Sequence, residues 1–134
     1  MDLRRFNTKK SLKDTMLANL EAYWIEEINT EEFIAQEGKI LTQIGVIDLF
    51  EEISSGKNDK YYVGITGRVR EREKEHNAVF LAVIDCQSLD KANDLEELAK
   101  ANGFYTGGAT GNGHEEDTTK LYIYKMIPGV TIEG

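Results

Sequence analysis

The chain has few of the residues that staple a fold from outside its core. One cysteine, Cys86, among 134 residues cannot close an internal disulfide and cannot alone make a zinc site. No apolar run approaches the roughly 20 residues that a bilayer-crossing helix needs, which excludes a spanning helix. The opening residues, Met1-Asp2-Leu3-Arg4-Arg5 and then Phe6-Asn7-Thr8-Lys9-Lys10, lead into no apolar stretch, so no secretory signal is expected and a reducing cytoplasm is the expected location. Positive charge is scarce: 16 Lys and Arg stand against 24 Asp and Glu, a formal net charge of -8. Phosphate contacts favour basic surfaces, so this balance argues against a protein that binds nucleic acid over its whole surface.

What is present is an ordinary globular composition. Forty per cent hydrophobic and 30% charged residues lack the signature of disorder and suit one core. The charge is uneven. Residues 57–76 carry six basic side chains (Lys57, Lys60, Arg68, Arg70, Arg72, Lys74) and four acids, a local +2, whereas residues 77–134 carry four basic residues and nine acids, a local -5. A basic patch on an acidic body is therefore available for a charged partner.

Residues 9–37 read as helix, because Leu12, Met16, Leu20, Tyr23/Trp24 and Ile28 recur at helical spacing. Asn29-Thr30 divides this stretch in two, and Gly38 ends the second helix. Residues 44–53 read as a strand with Ile47, Leu49 and Ile53 on one face. Residues 60–66 read as its returning partner after the turn chemistry of residues 54–59, together an antiparallel hairpin. A short charged helix follows over 68–77. The continuously apolar 79–84 suits a central strand covered on both faces. Ser88 or Asp90 caps a helix running to about Ala101. Residues 103–119 form a glycine-rich loop, and residues 120–127 a last strand stopped by Pro128-Gly129. The expected class is α/β (α+β): a small, mainly antiparallel sheet flanked by helices. An N-terminal helical segment, residues 1–40, packs on a domain spanning 41–134.

Chemistry concentrates in the middle of this order. On the 68–77 helix, steps of 100° from Val69 bring Arg72 and His76 to the sheet-facing side, one turn apart. The plain structural reading of such a pair is an ion pair and a satisfied histidine. On the 90–101 helix the stripe of Ala92, Leu95, Leu98 and Ala99 leaves Glu96 at its border and Glu97 in solvent. On the 60–66 strand, alternation puts Tyr62, not Tyr61, on the face of Gly64, where a missing side chain admits close approach. A phenol, a guanidinium, an imidazole and a carboxylate that converge are the parts a metal-assisted phosphodiester hydrolysis uses.

Tyr62-Val63-Gly64-Ile65-Thr66, with Arg72 eight residues after the glycine and His76 four further on, resembles the second half of the GIY-YIG nuclease module. Ala92 to Leu98 resembles that module's Ala-x-x-x-Glu helix. The resemblance covers roughly residues 44–101 and implies a three-stranded antiparallel sheet flanked by helices, with activity as an endonuclease. It implies Tyr62 as the YIG tyrosine, Arg72 as the catalytic arginine, His76 as the histidine found in many members, and Glu96 as the ligand of Mg²⁺ or Mn²⁺. DNA is the implied partner, no membrane is, and the helical segment is available for homodimer formation. The first motif departs from the family: its best match, Gly45-Val46-Ile47, carries Ile47 where a tyrosine is expected, and isoleucine neither donates, accepts nor carries a proton. Either His76 or Tyr62 then serves as base, or the copy is weak or inactive. The family's late asparagine has two candidates, Asn102 and Asn112.

The alternative is a catalytically inactive interaction module of the same fold, binding protein or nucleic acid. A third reading, nucleotide binding by the 103–114 loop, lacks the Lys-Ser/Thr and following helix of a P-loop. His114 beside Glu115, Glu116 and Asp117 offers metal-ligating groups but no closed shell, and Cys86 is expected to be inert.

Overall fold

The computed structural model describes residues 22–107 and 117–133. They form an α+β fold around a five-stranded antiparallel sheet. The strands are β1 (Ala22–Ile28), β2 (Ile40–Thr42), β3 (Tyr61–Thr66), β4 (Ala82–Asp85) and β5 (Lys120–Lys125), in the spatial order β2-β1-β4-β5-β3. The α-helices are α1 (Gln43–Ser54), α2 (Val69–His76) and α3 (Leu89–Ala101). Among the described residues no helix is long and apolar enough to cross a membrane.

Alternation along the strands gives the sheet two chemically different faces. Val63, Ala82, Ile84, Leu121 and Ile123 turn to one side, against Val46, Leu49 and Phe50 of α1 and Ala92, Leu95 and Ala99 of α3. Their neighbours Tyr62, Val83, Tyr122 and Tyr124 turn to the other side and pack with Phe80, and Val69 at the start of α2 leans on them. One face is thus largely aliphatic, under two helices, and the other aromatic, under one. The all-buried β4 lies between β1 and β5 and includes the charged Asp85; the expected strand over 79–84 is shifted to 82–85, and Val79 is exposed. Ser88 is the N-cap of α3, its Oγ accepting from the Lys91 amide at 3.1 Å.

Three expectations from sequence are overturned, the first being the three-stranded sheet that the resemblance implies, since the sheet has five strands. Residues 22–28 are strand, not helix: β1 pairs with β2 on one side and β4 on the other. Its ladder to β4 shifts register between Ile25 and Glu27. The extra residue brings Ile25 and Ile28, three apart, into the same core as Tyr23, and that spacing imitates a helical stripe. Residues 29–40 hold a 3-10 turn, Glu31–Gln36, and Gly38 follows with a φ of +85°, the left-handed backbone expected of it. Residues 22–40 are therefore woven into the same sheet, and the expected helix over 9–21 lies outside the described residues.

Residues 44–53 are helix, not strand. Thr42 caps α1, its Oγ1 accepting from the Gly45 amide at 3.0 Å, and Val46, Ile47, Leu49 and Phe50 form a buried stripe at helical spacing. The expected hairpin of 44–53 with 60–66 does not form. The partner of β3 is β5, with all six residue pairs in register from Tyr61↔Lys125 to Thr66↔Lys120.

Candidate active site

The β3–β5 ladder sets Gly64 directly opposite Tyr122 and Tyr62 opposite Tyr124. All four lie on the aromatic face. A Cβ at Gly64 would overlap the Tyr122 hydroxyl and press on the Tyr62 ring, so the glycine is where the Tyr122 phenol crosses the strand. Phe80 stacks on Tyr122 with 4.0 Å between centroids, and Tyr62 stacks on Tyr124 at 5.0 Å. The chain leaving α3 runs beside the outer edge of β3: the Val63 amide donates to the Tyr105 carbonyl at 2.8 Å and the Tyr105 amide to Tyr61 at 3.0 Å. Gly107 then passes so close to the Tyr62 hydroxyl that a Cβ there would collide with it.

Thr66 Oγ1 accepts from the Arg68 amide at 2.9 Å and turns the chain from β3 into α2. Four cations lie along the segment from Arg68 to Lys74, and their partners separate the roles. Arg70 is tied to Glu27 and Glu73, while Glu73 also accepts from the Phe80 amide at 2.8 Å; this is a structural brace. Arg68 pairs with exposed Glu71. Arg72 pairs with Glu75 at 3.3 Å and lines a cleft of about 210 Å³ with Thr66, Gly67, Glu71, Glu75 and Thr118.

His76, one turn beyond Arg72, is buried, its ring 4.8 Å from that of Tyr62. Its Nε2 lies 2.8 Å from the Tyr122 hydroxyl. Its Nδ1 lies 2.6 Å from the Ile132 carbonyl and 3.1 Å from the Tyr124 hydroxyl. Burial pushes its pKa below the ordinary histidine value, the bond to Ile132 opposes that, and the nearby Arg72 charge adds to it. Burial raises the phenols of Tyr62, Tyr122 and Tyr124 above their ordinary value. All three are phenols, not phenolates, near neutrality.

Glu96 stands at the border of the buried stripe of α3, half-buried, with Glu97 in solvent. Burial raises its pKa to about 7, with the Glu97 charge adding to the shift and Lys100 opposing it. Its charge acts on both the Tyr62 and Tyr122 phenols, as does that of Arg72. Of the four residues singled out in the sequence, Tyr62 and His76 stand in ring contact and Arg72 lies one turn before His76 on α2, whereas Glu96 is carried by α3, the helix that packs on the aliphatic face of the sheet. A hard carboxylate oxygen in a half-buried setting suits Mg²⁺ or Mn²⁺, since a cation would restore its charged form. Among the described residues no group of three or more His, Cys, Asp and Glu is placed to hold a metal, so a cation at Glu96 would complete its shell from water and substrate.

Tyr122 and Tyr124 are site residues that the sequence alone did not single out. Period two in residues 120–127 puts both on one face of β5, but nothing local says that this face lies beside Tyr62. Gly45-Val46-Ile47 takes no part: it is the first turns of α1, and Ile47 is buried in the aliphatic core. Asn102 ends α3, its side chain donating to the Leu98 carbonyl at 2.8 Å. Asn112, His114 and most of the glycine-rich loop lie outside the described residues. Cys86 is buried and burial drives its thiol pKa far up, which makes it inert as expected.

No family model matches the chain, and comparison with curated proteins and with solved structures likewise gives no match.

Proposed function

We propose that this protein is a GIY-YIG-like, metal-dependent endonuclease that hydrolyses phosphodiester bonds of DNA. The observation that carries the reading is the Tyr122 hydroxyl, seated over Gly64 and 2.8 Å from His76 Nε2. The sequence lacks a tyrosine at Ile47, but β5, the spatial neighbour of β3, supplies a phenol beside Tyr62 from the other end of the chain.

In this reading Arg72 meets the charge that develops on the phosphate. Glu96 holds Mg²⁺ or Mn²⁺, which when bound supplies positive charge to a phosphate oxygen. The attacking water bonds to phosphorus as it gives its proton to the Tyr122 oxygen and Tyr122 passes its own to His76 Nε2; the P–O bond to the leaving strand breaks, and the departing oxygen takes its proton from solvent. Tyr122 is a neutral phenol before and after, in keeping with its raised pKa, and His76 ends as the imidazolium. Tyr62 packs against both and orients them. Arg68 and Arg72 beside the cleft, each with an acidic partner on α2, are the cations offered to the DNA backbone on an otherwise acidic protein.

Plasmid nicking with Mg²⁺, comparing the wild type with Arg72→Ala and Glu96→Ala, tests the proposal. Nicking by the wild type that falls by about 10²-fold or more in both variants supports it; unchanged nicking in both removes the residue roles. The burial of His76, Tyr122 and Tyr124 favours a second reading, the inactive interaction module. That reading predicts no cleavage with any metal, and duplex DNA or protein binding that Glu96→Ala leaves intact.

A further inference from the structure

Beyond β5 the chain turns back over the end of α2. The Ile132 amide donates to the His76 carbonyl at 2.7 Å, and Asn77 Nδ2 donates to the Val130 carbonyl at 2.9 Å. The Ile132 carbonyl lies 2.6 Å from His76 Nδ1. A carbonyl has no proton to give, so Nδ1 carries the hydrogen and donates. Nε2 of the neutral ring is then a bare lone pair, facing the Tyr122 hydroxyl at 2.8 Å.

The Tyr124 hydroxyl, 3.1 Å from the same Nδ1, is a second influence. One phenol has one proton, and Tyr124 donates it to Glu133 Oε2 at 2.9 Å. Its oxygen is left as an acceptor toward Nδ1. Without the carboxylate, the Tyr124 proton would be free to turn to Nδ1 and drive the ring hydrogen to Nε2. The neutral histidine side chain in water leans toward that Nε2–H form, so the buried arrangement opposes the ring's own preference.

We propose that residues 127–133 form a strap that fixes the His76 tautomer, with Ile132 acting through its carbonyl and Glu133, as a positioning residue, acting through Tyr124. The strap keeps the hydrogen on Nδ1 and the acceptor lone pair aimed at Tyr122. The consequence for cleavage rests on the nuclease reading, whereas the tautomer does not.

Imidazole ¹⁵N spectra of the full-length protein at pH 8 measure this directly, with His114→Gln used to assign the only other histidine. The wild type is expected to show a pyrrole-like Nδ1 and a pyridine-like Nε2. Glu133→Ala moves Nε2 toward the pyrrole-like position. Glu133→Gln, which keeps an acceptor oxygen for Tyr124, retains the wild-type pattern. Adding Tyr124→Phe to Glu133→Ala removes the competing proton and restores Nδ1–H through Ile132 alone. A wild-type ring protonated on Nε2, or a pattern that Glu133→Ala leaves unmoved, overturns the proposal. If the tautomer follows these variants while no variant nicks DNA, the strap stands and the nuclease reading falls. If nicking occurs, its rate at saturating DNA is expected to drop in proportion to the lost Nδ1–H population.

Discussion

Gly64 and Tyr122 face each other across the β3–β5 ladder, and the side chain that Gly64 lacks is the space that the Tyr122 hydroxyl fills. The glycine is there for room, since it is not among the positive-φ glycines. Gly64→Ala is therefore expected to destabilise the protein by about 1–3 kcal/mol through overpacking. Urea denaturation measures the loss, and an unchanged midpoint would mean that Tyr122 does not cross the strand at this point.

Tyr122→Phe separates packing from proton chemistry. The ring keeps its stack on Phe80, while His76 Nε2 loses its only described hydrogen-bond partner. An unsatisfied buried acceptor costs about 1–3 kcal/mol. If Tyr122 passes the proton, nicking falls by about 10²-fold or more. A variant that is less stable yet nicks at the wild-type rate would remove Tyr122 from the reaction and leave it as core.

Glu96 makes stability depend on pH in a definite direction. Its folded pKa, about 7, lies above its ordinary value. The protonated form is favoured in the fold, so its contribution is full at low pH and is lost as pH rises through about 7. Glu96→Gln mimics the protonated carboxyl and is expected to be more stable than the wild type at pH 8, by about 1 kcal/mol once solvent screening of its exposed part is allowed for. The difference disappears below the ordinary carboxylate pKa. Thermal melts at pH 8 and pH 4 check this, and Mg²⁺ or Mn²⁺ at pH 8 should raise the melting temperature of the wild type but not of Glu96→Gln.

His76 contributes with the opposite sense. Its pKa is lowered by burial, so its contribution is present above the ordinary histidine value and is lost as pH falls through the lower folded value. The stability gap between the wild type and His76→Gln is therefore expected to narrow from pH 7.5 to pH 5. Chemical denaturation of both proteins at the two pH values measures it, and a gap that widens with acid contradicts the assignment of a neutral ring.

Ser88→Ala removes the N-cap of the helix that carries Glu96. The expected cost is about 1 kcal/mol, seen in denaturation; under the nuclease proposal plasmid nicking is expected to be unchanged, because Ser88 touches none of the site residues named above.

Several parts of this arrangement were legible in the amino-acid order. The α2 helix and the common side of Arg72 and His76 follow from 100° steps, and the border position of Glu96 follows from the stripe of α3. The shared face of Tyr62 and Gly64 follows from alternation. These are local geometric facts, set by helix and strand periods over short spans. Local patterns also misled, at Ala22–Ile28 and at Gln43–Ser54. In the first, a bulge spaced Ile25 and Ile28 like helix residues. In the second, an apolar-rich helix presented the alternating Ile47 and Leu49 of a strand.

By itself, then, the sequence determined the α+β class, the burial of β4, and which side chains share one helix face or one strand face. Only the tertiary structure decided which strands are neighbours. Strand pairing joins residues as far apart in order as Gly64 and Tyr122, and no local period encodes such a pair. It was this choice of β5 as the partner of β3, together with the return of Ile132 and Glu133 over α2, that set two further phenols and a buried imidazole beside Tyr62.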